Sequence, residues 1–141
     1  MSWTYSCPHC AQVLNPDETV ILIGYINRQE VLVGFHPQPG NYTAYLPPGV
    51  ELQHGTSYDF FCPLCRTNLE SQSHENLCEL VIWYGHERRR LLFSRIAGEH
   101  ATYVVRATPT PAAPQEQIAE RHGEHTGRYD NTLTFVRPPG L

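Results

Sequence analysis

With 141 residues, 40% hydrophobic and 17% charged, the chain has room for one domain with a real core, or for a smaller domain carrying an ordered arm. A formal net charge of −4 at pH 7 disfavours phosphate-rich partners, which need a basic face. All ten basic residues are arginines, so the lysine of a phosphate-binding P-loop is missing, and no apolar run approaches the roughly 20 residues of a membrane-spanning helix.

Twelve prolines and ten glycines predict a turn-rich, mostly β protein. The first element is a tight turn, Cys7-Pro8-His9-Cys10. Asn15-Pro16-Asp17-Glu18 reads as a second turn. Two short apolar runs follow, Val20 to Ile26 and Val31 to Phe35, separated by Asn27-Arg28-Gln29-Glu30. Their β-branched content and flanking turns predict a buried β-hairpin. His36 to Asn41 breaks the pattern, Tyr42 to Leu46 predicts another short strand, and Pro47-Pro48-Gly49 stops it. Thr56 to Phe61 is then an expected strand leading into a second cysteine turn, Cys62-Pro63-Leu64-Cys65.

Beyond residue 77 three apolar segments, Cys78 to Tyr84, Arg90 to Ile96 and Ala101 to Ala107, are punctuated by Gly85 to Arg88 and Ala97 to His100. They predict a three-stranded antiparallel meander. Leu77, Leu80, Val81 and Tyr84 also match helical spacing, but the run Val81-Ile82-Trp83-Tyr84 favours strand. Thr108 to Pro114 is a proline-rich linker. A short helix is expected over Gln115 to His122, opened by Pro114 and closed by Gly123, with Thr132 to Val136 either a strand or part of a disordered tail. The expected organisation is one β domain over residues 1–107, with a metal half at 1–70 and a meander at 77–107. The linker 108–114 and the arm 115–141 complete it.

The two Cys-x-x-Cys turns are matched copies. Each has an aromatic just upstream (Tyr5; Phe60 and Phe61), proline after its first cysteine, and leucine four positions past its second (Leu14; Leu69). Each turn brings two thiolates to one side of a loop, and four thiolates at tetrahedral corners make a closed structural zinc site. Cys7, Cys10, Cys62 and Cys65 are therefore the candidate ligands of one structural Zn2+. The gap of 51 residues from Cys10 to Cys62 exceeds the simplest spacing of about 15–20, and the predicted hairpin fills it. Closing a longer loop costs only about 0.6 kcal/mol per doubling.

These two turns and their flanks resemble the zinc-ribbon group, whose members pair Cys-Pro-x-Cys knuckles on β-hairpin arms; rubredoxin uses the same construction for iron. The resemblance covers about a sixth of the chain, and Ala11 and Arg66 stand where many zinc ribbons carry glycine. It implies a four-cysteine zinc-ribbon core with a long β-hairpin insertion. Disulfides are the poorer pairing, since no leader-like segment precedes Cys7 and Cys78 would be left over; Cys78 is expected to be a small core residue.

No catalytic constellation stands beside this site. His122-Gly123-Glu124-His125 lacks the i, i+4 spacing of a helical zinc protease motif and reads as a polar turn. His9 sits inside a knuckle but is expected to point away from the metal. His86 and Glu87 should lie at the opposite end of the meander from Glu99 and His100. There is no Gly-x-Ser-x-Gly elbow. Arg88 to Arg90, near Trp83, Tyr84 and Phe93, reads either as an interface loop or as an edge strand protected by charge. The leading expectation is a non-enzymatic zinc-binding module of the cytoplasm that contacts another protein or its own copy. A nucleic-acid-binding zinc ribbon using the arginines and aromatic stacking, or a rubredoxin-like iron carrier, are the alternatives.

Overall fold

The computed structural model describes residues 3–72, 74–108 and 115–129. These residues form strands and turns with no α-helix; the one helical element is a 3-10 turn at Thr126–Arg128. The strands are β1 (Thr4–Ser6), β2 (Val20–Ile26), β3 (Gln29–Phe35), β4 (Ala44–Tyr45), β5 (Asp59–Phe61), β6 (Leu77–Tyr84), β7 (Glu87–Ser94), β8 (Thr102–Thr108) and β9 (Gln115–His122). They build two antiparallel sheets, one in the order β1-β6-β7-β8-β9 and the other β4-β3-β2-β5.

The predicted hairpin is β2–β3, paired from Val20↔Phe35 to Ile26↔Gln29. Its turn is only Asn27-Arg28, both at positive φ (53° and 64°). That geometry matches the right-handed twist of the flanking strands. The predicted meander is β6–β7–β8, and the segment with mixed helix and strand signals is strand β6, in register with β7 from Leu77↔Ser94 to Tyr84↔Glu87.

The expected helix at Gln115 to His122 is instead strand β9, paired with β8 from Thr102↔His122 to Thr108↔Gln115, with a bulge at Val104/Val105. Tertiary contacts override local preference here. Glu116, Ile118, Glu120 and His122 are each half-buried and alternate with exposed Gln117, Ala119 and Arg121, the bulge carrying the buried side from the face of Val105, opposite Ile118, to that of Val104, opposite Glu120. Glu116 and Glu120 turn toward arginines of β7. Thr108, expected in the linker, closes β8. The rest of the linker, 109–114, and the expected strand at 132–136 lie outside the described residues.

The order of strands contains an exchange. β1, which leads into the first cysteine turn, pairs with β6, which follows the second. β5, which leads into the second turn, pairs with β2, which follows the first. Each cysteine turn is thus the crossover from one sheet to the other. The main core lies between the sheets, with Leu22, Val33 and Phe60 facing Leu80, Ile82, Leu91 and Val104. A second cluster, Leu77, Leu92, Ala101, Tyr103, Val105 and Tyr129, covers the other side of the five-stranded sheet.

Candidate metal centre

Both cysteine turns fold by the same hydrogen bonds. The Ala11 N–H donates to the Cys7 carbonyl at 2.9 Å, as Arg66 does to Cys62 at 2.9 Å. The Cys7 N–H donates to Gln12 (3.0 Å) and that of Cys62 to Thr67 (3.1 Å). The Leu14 N–H closes on Tyr5 and that of Leu69 on Phe60, each at 2.9 Å. Ala11 and Arg66, standing where many zinc ribbons carry glycine, adopt the left-handed backbone that glycine favours, with φ of 65° and 62°. The departure from glycine therefore changes the residue and keeps the turn. Leu14 and Leu69 are both buried and anchor the two turns in the core.

Inside each turn two backbone N–H groups point at the first sulfur. Cys7 Sγ accepts from His9 (3.3 Å) and Cys10 (3.5 Å), and Cys62 Sγ accepts from Leu64 (3.4 Å) and Cys65 (3.5 Å). Such donors stabilise thiolate charge and orient a ligand from its outer shell.

The structure brings the four sulfurs of Cys7, Cys10, Cys62 and Cys65 together, all within 4.8 Å of one another. Across the two turns, Cys7 Sγ lies 3.8 Å from Cys65 Sγ and Cys10 Sγ lies 3.7 Å from Cys62 Sγ. A tetrahedron with metal–sulfur bonds of about 2.3 Å has edges of about 3.8 Å. A disulfide needs about 2.05 Å, so these sulfurs are spaced for a shared cation and not for each other. Four cysteines therefore form a cluster able to hold a metal ion.

As free thiols the four differ. Burial pushes Cys7 up to about 12, against the lowering effect of the Cys10 and His9 N–H groups, and burial also raises Cys62. Cys65, exposed, is drawn down to about 6, chiefly by the Thr67 hydroxyl 3.3 Å away and the Thr67 backbone. A cation binding all four must displace protons from the buried pair. Sequence reasoning misses Thr67, because its counterpart after the first turn is Gln12 and the repeat carries no signal for it.

His9 is exposed and outside the sulfur cluster, and Cys78 is fully buried away from it. His86 and Glu87 lie at the β6–β7 turn, Glu99 and His100 between β7 and β8. His100 instead meets the polar turn after β9. Its ring is 3.2 Å from the Glu124 carboxylate and stacks on Tyr42 at 4.3 Å, and its backbone N–H donates to His125 Nδ1 at 2.9 Å.

Arg88 to Arg90 are neither a loop nor an edge strand. They lie in β7, the middle strand of its sheet. Arg90 makes a two-pronged pair with Glu79 (2.7 and 3.1 Å) and reaches Glu116 at 2.6 Å. Arg89 stacks 4.1 Å over the Tyr84 ring and pairs with Glu87 and Glu120. These two guanidinium groups tie strands together, which leaves little of them to face phosphate.

No family model, curated protein or solved structure matches the chain. Among the described residues no helix is long and apolar enough to cross a membrane.

Proposed function

We propose that the four cysteines hold one structural Zn2+ in a closed site of the zinc-ribbon kind, and that the protein is a non-enzymatic module whose β surface binds another protein or a second copy of itself. The observation that carries the metal reading is the pair of sulfur separations of 3.7 and 3.8 Å across the two turns, the edge length of a tetrahedral zinc–thiolate site. Four protein sulfurs leave no open position for water or substrate, which favours a structural role. A reducing compartment such as the cytoplasm would keep the thiols available.

The interaction reading rests on the outer face of the four-stranded sheet. Tyr25, Leu32 and Tyr45 share that face by register and are 47%, 60% and 51% exposed. Large apolar side chains grouped on one sheet face mark a contact surface.

Metal analysis of the purified protein tests the site: one zinc per chain is expected, and substitution by cobalt should give the absorption of tetrahedral sulfur coordination. Iron in the same stoichiometry, with a red protein, would replace zinc by an electron-carrier reading, and no bound metal would end both. For the surface, Leu32→Asp should abolish self-association in sedimentation, or capture of a protein from the native host, while leaving metal content unchanged. Association or capture equal to that of the unmodified protein would sink the surface assignment.

A further inference from the structure

The two sheets do not close fully on each other. Between them lies a cavity of about 160 Å³, predominantly apolar, walled by Val20, Phe35 and Phe60 from the four-stranded sheet and by Leu80, Leu91 and Phe93 from the five-stranded one. The three phenylalanine rings meet edge-on or tilted, with centroids 5.5, 5.8 and 6.3 Å apart. This arrangement presents both ring edges and ring faces, the surfaces against which a further aromatic ring packs favourably.

Tyr5, Ser94, Tyr42 and Arg95, which line the cavity, already have partners within the protein. The Tyr5 hydroxyl donates to the Pro37 carbonyl at 2.6 Å, and the Ser94 hydroxyl to the Glu99 carboxylate at 2.6 Å. Tyr42 donates to the His122 carbonyl at 3.0 Å. Arg95 donates to the carbonyls of Tyr58 and Glu75 and to Asp59. A charged ligand entering here would lose its hydration with no counter-charge waiting, a prohibitive cost. An apolar ring would lose nothing and would gain dispersion contacts on all sides.

We propose that this cavity is a binding site for an uncharged small molecule carrying a single aromatic ring. The volume suits it, since an apolar cavity of about 150 Å³ accepts a benzene ring. Access is built in as well. The segment from Gln38 to Tyr42, with His100, lines both the cavity and an adjoining groove open to solvent, so a ring can enter from the side of that groove. The site is separate from the sulfur cluster and stands whether or not the metal is zinc.

Methyl-resolved NMR on the full-length, metal-loaded protein, titrated with p-cresol and with benzoate, tests the proposal. p-Cresol should shift the Val20, Leu80 and Leu91 methyl signals saturably with a millimolar Kd, the range open to so small a ligand, and benzoate should bind at least about tenfold more weakly. Ala44 lines the cavity from the edge strand β4 and is half-buried, so Ala44→Phe should fill the space and weaken p-cresol binding by at least about tenfold while the amide spectrum stays folded. No saturable shift of these methyls up to the solubility limit would overturn the site. Equal affinity for benzoate would overturn the ligand class, and undiminished binding by a folded Ala44→Phe protein would overturn the location. Should that variant misfold, the smaller Ala44→Val change, read the same way, decides the location.

Discussion

Replacing Cys10 by alanine removes one of the four sulfurs at small packing cost, because Cys10 is only half-buried and the lost apolar contact is worth under about 1 kcal/mol. Any larger effect must come through the metal. A cation that binds only the folded chain stabilises it by about 4 kcal/mol when present at a thousand times its dissociation constant. For a chain of this size each kcal/mol shifts the melting temperature by about 3–5 °C, so the metal contribution corresponds to about 12–20 °C. The structure explains why it should be felt globally: a cation held by the four sulfurs would join the two crossovers between the sheets, β1 to β2 and β5 to β6. The control is Cys78→Ala, which removes a fully buried thiol outside the cluster.

The assay is calorimetric melting of the unmodified protein, Cys10→Ala and Cys78→Ala, each with zinc in excess and after chelation. The unmodified protein and Cys78→Ala should both fall in melting temperature on chelation by a similar interval, although Cys78→Ala starts lower. Cys10→Ala should melt near the chelated value and respond weakly to zinc. An unmodified protein whose melting temperature survives verified metal removal would refute the reasoning, and so would a Cys10→Ala protein with the full zinc response.

Gly123 sits at φ of +95°, and a Cβ there would fall 2.2 Å from the His100 carbonyl oxygen and 2.5 Å from the Tyr42 hydroxyl; Gly123→Ala should cost about 1–3 kcal/mol in a denaturant titration, and an unchanged midpoint would contradict this. Burial works to raise the Glu120 carboxyl, but bonds from His122 and Tyr84 and the Arg89 charge outweigh it and hold the group below its ordinary 4.5. Its contribution is therefore present above that value and is lost as pH falls through the depressed one; Glu120→Gln should flatten the decline of stability below about pH 4.5, and parallel pH curves would count against it. A chain cut after residue 70 keeps all four cysteines but deprives β1 of its partner β6. It should bind metal more weakly than the whole protein and unfold without a cooperative transition; a cooperative melt with undiminished affinity would show that the exchange of strands is dispensable.

Much of this architecture is readable from local patterns, and the limits are equally local. The hairpin β2–β3 and the meander β6–β8 follow from β-branched runs between turns, because their partners are neighbours in sequence. The cysteine turns are legible because the chemistry of a four-thiolate site constrains residue type and spacing together. Strand β9 escapes such a reading because Pro114 and Gly123 look like helix boundaries, and the alternation of Glu116, Ile118, Glu120 and His122 shows in the sequence only as polar residues broken by one isoleucine. What makes them strand is pairing with β8, with Glu116 and Glu120 answering arginines on β7 and Ile118 packing on the second apolar cluster, long-range facts that no window around residue 118 contains.

The exchange of β1 and β5 between the sheets is illegible for a stronger reason. Both are three-residue strands, too short for periodicity to act on, and their partners lie far along the chain. Geometry at the cysteine turns decides. With the four sulfurs drawn to one point, each short strand enters its turn from one sheet, and the chain leaves for the other. Through the exchange each sheet contains strands from both sides of the sulfur cluster, so a cation held there and the apolar core between the sheets would stabilise the same contacts. The sulfur cluster and the cavity are then two consequences of one arrangement: sheets fastened together at their crossovers, with space left between their facing phenylalanines.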